Sequence, residues 1–353
     1  MIDSINNQIL IGNALTELKR LPSESVQCVV TSPPYWGLRA YGTRPQIWGG
    51  RGERLHDWAV ESICRSCGAW SGEFGLEPTP AMYVEHSVEI FREVRRILKK
   101  NGTLWLNLGD SYAGRGHGYL SEIKGKQATN KGTLFMAERP PAEVLAGLKQ
   151  KDLVGVPWRV AFALQADGWW LRQDIIWHKP GPMPESVEDR CTKSHEYIFL
   201  LSKESVYYCD MKAIAERSVD PESILRGRGK RSSDAINETA SEPMAGRNFH
   251  SVPVGKLYPT RNRRSVWSIN TDSYSESHFA VFPPEIPSLC IQAGSSVGDV
   301  VLDPFAGSGT TLQVAQSLGR RYLGIEINPE YLPMMQRRLS QRGLFEYGSN
   351  VRS

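Results

Sequence analysis

The sequence predicts an α/β protein, a doubly wound and mostly parallel sheet with helices on both faces. Three observations carry this. Residues 26–30, Val-Gln-Cys-Val-Val, form a near-continuous apolar run, as in a strand buried on both faces. Residues 297–303, a helix after Gly309, residues 322–327 and a helix after Pro329 form a terminal β-α-β-α unit. Between these ends, strand-like and helix-like segments alternate without an internal repeat.

In chain order, residues 9–11 are a short strand, and Leu15, Leu18 and Leu21 follow at helical spacing. Residues 37–80 are rich in Gly, Trp and Arg, show no period and read as an insertion. Residues 84–99 form an amphipathic helix, with Val84, Val88, Phe91, Val94 and Leu98 on one face. Asn101-Gly102 stops it and residues 103–108 are the next strand. A helix over 157–166 and strands over 171–178 and 197–201 follow.

At 353 residues and 40% apolar content, the chain has room for one large α/β domain and a smaller module. No apolar run is long enough to span a membrane, and the first residues lack a basic-then-apolar leader pattern. The six cysteines, at 28, 64, 67, 191, 209 and 290, are too scattered for a disulfide framework. A reducing, cytoplasmic location is expected. The net charge is only +4, but residues 212–264 hold eleven basic residues against six acidic ones. Such a segment suits either a polyanion-facing module or a solvated loop.

Asp303-Pro304-Phe305-Ala306-Gly307-Ser308-Gly309-Thr310 links a strand to a helix. Glycines there let a ligand reach the backbone, and the helix start offers unpaired N–H groups. They serve a purely structural turn equally well. The next strand ends Gly324-Ile325-Glu326-Ile327-Asn328, which puts an acid about twenty residues on, where a carboxylate grips a ribose diol. The spacing suits a nicotinamide dinucleotide or S-adenosylmethionine. The G-x-G-x-x-G fingerprint is missing, which disfavours a dehydrogenase.

Ser32-Pro33-Pro34-Tyr35 follows the first buried strand. Its prolines fix φ and remove two backbone donors. The carbonyls and the Ser32 hydroxyl remain as acceptors beside an aromatic face. That combination suits a planar base with an exocyclic amine, on which Tyr35 can stack. A rigid turn with a packed Tyr is the other reading.

Together the two loops resemble the catalytic and cofactor motifs of DNA amino-methyltransferases. The catalytic motif comes first, as in the beta class, a circularly permuted order of the Rossmann-like methyltransferase fold. Asn107-Leu108-Gly109-Asp110-Ser111, residues 173–180, Asp189-Arg190, His195-Glu196-Tyr197 and His278-Phe279-Ala280-Val281-Phe282-Pro283 resemble further family segments.

The resemblance implies a catalytic half over 1–211, a small target-recognition module over 212–264 and a cofactor half over 265–353. It implies methyl transfer from S-adenosylmethionine to the amine of a flipped base in double-stranded DNA. Ser32, Pro33, Pro34 and Tyr35 would hold that amine. Asn13, Phe279, Asp303, Phe305, Gly307, Gly309, Thr310, Glu326 and Asn328 would hold the cofactor. Arg226, Arg228, Lys230, Arg231, Arg261, Arg263 and Arg264 would meet DNA collectively. Ser before Pro-Pro favours cytosine N4 over adenine N6 in this family. A cognate restriction endonuclease is the further partner implied.

Two other classes share parts of this pattern. Protein-glutamine methyltransferases also use a Pro-Pro-Tyr loop, but in the opposite motif order. A DNA-binding module with an inactive methyltransferase fold conflicts with the intact Ser32, Tyr35, Gly307 and Glu326. Finally, Cys64-Arg65-Ser66-Cys67-Gly68 has half of a zinc-ribbon spacing, with His56 as a third ligand. Two reduced cysteines in a loop is the alternative to bound zinc.

Overall fold

The computed structural model describes residues 7–38, 40–50, 56–59, 62–113, 147–182, 184–218, 259–271 and 283–340. They fall into two compact units, one of residues 1–210 with 265–353 and one of residues 211–264.

An eight-stranded sheet organises the larger unit. Its strands are β1 (Gln8–Ile11), β2 (Val26–Thr31), β5 (Leu98–Leu108), β6 (Trp170–His178), β7 (His195–Ser202), β10 (Val266–Ser268), β11 (Val300–Asp303) and β12 (Arg321–Glu326). The order across the sheet is β1-β12-β11-β2-β5-β7-β6-β10. All neighbours are parallel except β7, which runs antiparallel to both β5 and β6. Every residue of β2 is buried, Gln27 and Thr31 included, in keeping with its near-continuous apolar run.

Helices α1 (Ala14–Arg20), α2 (Pro80–Ile97) and α3 (Val156–Ala166) pack in sequence against one another. Helices α4 (Glu285–Gly294), α5 (Thr310–Ser317) and α6 (Leu332–Ser340) form a second such set. Thr79 starts α2 by accepting the Met82 N–H at 3.2 Å, with Pro80 in the first turn, where its missing N–H costs nothing. The helix ends at Ile97. Asn101-Gly102 is therefore no helix stop: it lies inside β5, which begins at Leu98 and pairs there with Val26 before a register shift.

The stretch 37–80, read as an insertion, carries secondary structure of its own among its described residues. It forms the antiparallel pair β3 (Gln46–Trp48) and β4 (Trp70–Gly72). Trp48, Trp70 and Phe74 join the same buried cluster as Val29, Phe91 and Leu106. Aromatic burial substitutes here for regular secondary structure. The smaller unit holds a short antiparallel pair, β8 (Glu216–Arg217) and β9 (Thr260–Arg261).

Candidate active site

The carboxyl ends of β1, β2, β5, β6, β11 and β12 lie along one edge of the sheet. Because β7 runs the other way, its first residues join them. This is where an open α/β sheet binds ligands. A cavity of about 460 Å³ opens there, lined by both predicted loops. Ser32, Pro33, Pro34 and Tyr35 form one side; Phe305, Gly307 and Thr310 form another, with Asn13, Glu326 and Asn328 beside them.

The catalytic loop is held from several directions. The Tyr83 hydroxyl donates to the Pro34 carbonyl at 2.9 Å, so that acceptor is already engaged. Trp36 donates its indole N–H to the Glu77 carbonyl at 2.9 Å, and Gly37 N–H donates to the Gly75 carbonyl at 2.6 Å. The Tyr35 ring packs on Gly109, where a Cβ would stand 2.6 Å from Cε2. Only glycine leaves room for it.

The Tyr35 hydroxyl is the centre of a polar chain. It accepts from the Ser32 hydroxyl at 3.0 Å and lies 2.7 Å from Glu196 Oε2 and 2.9 Å from Asn107 Oδ1. Its single proton goes to the nearer, anionic acceptor. Glu196 in turn pairs with Lys179, whose Nζ lies 4.4 Å from the centre of the Trp177 ring. Burial first, and then the Glu196 charge, hold the Tyr35 pKa well above its ordinary value, so the phenol stays protonated.

On the cofactor side, Gly307 and Gly309 adopt left-handed φ values of 50° and 80°. Glu326 is buried at the tip of β12, and burial raises its pKa. Its two oxygens accept the Gly307 and Asn328 N–H groups, each at 2.8 Å. A carboxylate has further acceptor positions, so this clamp still leaves it able to take hydroxyl groups. Arg338 of α6 donates to Ser308 Oγ and Thr310 Oγ1, both at 2.7 Å, and so pins the glycine loop from behind.

Two expected cofactor residues stand off the cavity wall. Gly309 shapes the start of α5 and backs onto Met335. Asp303 is fully buried and accepts from Thr31 Oγ1 at 2.7 Å, Thr311 Oγ1 at 2.7 Å and the Phe305 N–H at 3.0 Å. It ties the residue before Ser32 to the glycine loop instead of facing a ligand. Burial pushes its pKa up to about 6, against the pull of those three donors. Asn13 does reach the cavity, but its Oδ1 accepts from Thr16 N–H at 3.1 Å and caps α1. Phe279 lies outside the described residues.

Of the basic residues assigned to DNA, Arg226, Arg228, Lys230 and Arg231 also lie outside the described residues. Within the smaller unit, Arg261 and Arg264 each donate Nε to Glu216 Oε1 at 2.8 Å, and Arg263 donates to the Ile214 carbonyl at 2.9 Å. These contacts orient the arginines. Sequence reasoning missed Lys179, Glu196, Asn107 and Phe74 as site residues. The first three sit in segments that carry the family resemblance, which was the available signal. Phe74 stacks on Phe305, with ring centroids 5.7 Å apart, and nothing in its own neighbourhood announces that contact.

A mostly parallel sheet brings the Ser-Pro-Pro-Tyr loop and the glycine loop to one cavity, the arrangement that the resemblance to DNA amino-methyltransferases implies. The family model for DNA methylase matches residues 26–337, and the chain belongs to that family. It is similar to the type II methyltransferase M.SmaI of Serratia marcescens, 44% identical over 95% of this chain and 91% of that protein. It is also similar to M.Cfr9I of Citrobacter freundii, 42% identical over 93% and 86%. In fold it resembles the cytosine-N4-specific PvuII DNA methyltransferase (TM-score 0.57, 18% identity, 96% of this chain and 88% of that one). It likewise resembles a Thermus thermophilus structure complexed with S-adenosyl-L-methionine (TM-score 0.52, 22% identity, 95% and 93%). No helix among the described residues is long and apolar enough to cross a membrane.

Proposed function

We propose that this protein methylates the N4 amine of a cytosine flipped out of duplex DNA, as the modification member of a restriction-modification pair. The observation that carries the reading is the direction of the Ser32 hydrogen bond. Ser32 gives its proton to Tyr35, so its lone pairs are what it offers the cavity. With the Pro33 carbonyl it forms an acceptor pair for an –NH₂ group.

An exocyclic amine is a weak nucleophile because its lone pair is delocalised into the ring. Acceptors on its hydrogens return electron density to nitrogen as it attacks, and the gain is largest where charge develops. The Tyr35–Glu196 bond strengthens this by polarising the Ser32 hydroxyl in turn. Tyr35 supplies a face for the base, and no covalent intermediate on the enzyme is needed.

S-adenosylmethionine fits the other side of the cavity. The Glu326 carboxylate suits ribose hydroxyls, and the left-handed glycines let a ligand approach backbone. Phe305, Thr310, Asn328 and Asn13 complete that wall. When bound, the cofactor supplies a methyl group on an electrophilic sulfonium. The choice of cytosine rests on Ser32, where the adenine-directed relatives more often carry a carboxylate or an amide. The 211–264 unit, with its basic residues, is the proposed reader of the DNA sequence.

The test is methylation of defined duplex DNA with labelled cofactor, followed by nucleoside analysis. N4-methylcytosine is expected. N6-methyladenine as the only product would overturn the base assignment, and no DNA product from a cofactor-competent preparation would overturn the function. A cognate endonuclease would then be blocked at the methylated site.

A further inference from the structure

The stretch between β3 and β4 carries a cluster unrelated to amine chemistry. His56, Cys64 and Cys67 bring their ligand atoms within 4.8 Å of one another. His56 Nδ1 lies 3.5 Å from Cys67 Sγ, and Cys64 is buried. The backbone between the thiols is tightly folded. Gly68 N–H donates to the Cys64 carbonyl at 2.9 Å, Cys64 N–H to the Ala69 carbonyl at 2.7 Å, and Arg65 N–H to the Asp57 carbonyl at 2.9 Å. Two soft sulfur ligands from a tight turn and an imidazole from the chain beside it match tetrahedral zinc better than any hard cation.

We infer that His56, Cys64 and Cys67 bind one zinc ion, and that this ion braces the wall of the active-site cavity. Cys64 and Cys67 bind as thiolates, and their two protons pass to solvent; His56 binds as the neutral imidazole. The site is structural.

A short path of contacts connects it to the cavity. Trp58 bridges to Cys64, and Ile63 bridges to Trp70. Trp70 pairs with Trp48 across β3 and β4. Trp48 lies 5.3 Å from Phe74 between ring centroids, and Phe74 stacks on Phe305 of the glycine loop. The described residues of 46–77 contain little regular structure beyond β3 and β4, and a metal supplies the cross-link that so small a hairpin cannot obtain from its own core.

The test uses the full chain, expressed with zinc, dialysed, and analysed for metal by mass spectrometry. About one zinc per chain is expected, falling below roughly a tenth of an equivalent in Cys64→Ser and Cys67→Ser. Cys191→Ser, at an exposed thiol outside the cluster, keeps the metal. Should the variants misfold, the wild-type chain decides. After chelation and refilling with cobalt(II), it shows the visible bands of a tetrahedral site and sulfur-to-metal charge transfer. Trypsin reads the bracing directly: Arg65, exposed between the two thiols, is cut in the chelated chain and protected in the refilled one. A wild-type chain that holds less than about a tenth of an equivalent and takes up no cobalt overturns the inference, as does a Cys64–Cys67 disulfide without metal.

Discussion

The two loops over the cavity leave neighbouring parallel strands, β2 and β11, yet they are built in opposite ways. The catalytic loop is stiffened by prolines and presents acceptors. The cofactor loop is bent by glycines, and its Gly307 N–H is held by a carboxylate, Glu326. One suits a group with hydrogens to give; the other suits a ligand that must touch backbone. Asp303 joins them, accepting from Thr31 on one side and from Thr311 and Phe305 on the other. Neighbouring strands of one sheet thus carry two unlike loops, and a buried acid links them.

After the loss of Tyr35 itself, the largest expected effect comes from removing the acceptor side alone. Ser32→Ala is expected to slow single-turnover methyl transfer by about a thousandfold while leaving cofactor affinity within roughly twofold, read by rapid quench and calorimetry. A matching loss of cofactor affinity would merge the two loops into one site.

The next effect strikes the link. The folded-state pKa of Asp303, about 6, lies above its ordinary 3.8. Its stabilising contribution is therefore present below about pH 4 and is lost as pH rises to about 6, because the unfolded chain releases the proton first. Asp303→Asn removes that titration. The stability advantage of wild type over Asp303→Asn should narrow by roughly 2–3 kcal/mol across this window, measured by denaturant melts. A constant gap would show that Asp303 does not titrate there.

On the donor side, Glu326→Ala leaves the Gly307 and Asn328 N–H groups without their acceptor. Cofactor affinity should weaken by about tenfold to thirtyfold, with the rate at saturating cofactor reduced far less. The smallest effect lies outside both loops. Arg264→Ala should weaken DNA binding by about threefold and reduce the salt slope by about one, without altering cofactor affinity.

Both loops are legible in the sequence because their chemistry is local: two prolines in a row, or two glycines two residues apart, say what the backbone must do. The place of Glu326 beside the glycine loop is legible from its distance along the chain. Asp303 misleads for the opposite reason. An acid at a strand end reads as a ligand contact, and its true partner Thr31 is far away in the chain. Asn13 is similar, a residue type that serves a helix cap as readily as a ligand. The 37–80 stretch has no period to read, since Trp48 and Phe74 are buried by His86, Tyr83 and Phe305 from other elements. The reversal of β7 leaves no mark on its apolar pattern, though it is what carries Glu196 to the cavity. Arg261 and Arg264 read as free charges, because Glu216, which orients both, lies more than forty residues away.

The division of labour between the loops is tested most directly by Tyr35→Ala, with single-turnover methyl transfer to duplex DNA and cofactor affinity measured on the same preparation. Turnover should be abolished while the cofactor binds with an affinity within about twofold of wild type. An equal loss of cofactor binding would contradict the role given to Tyr35 and, with it, the separation of the two loops.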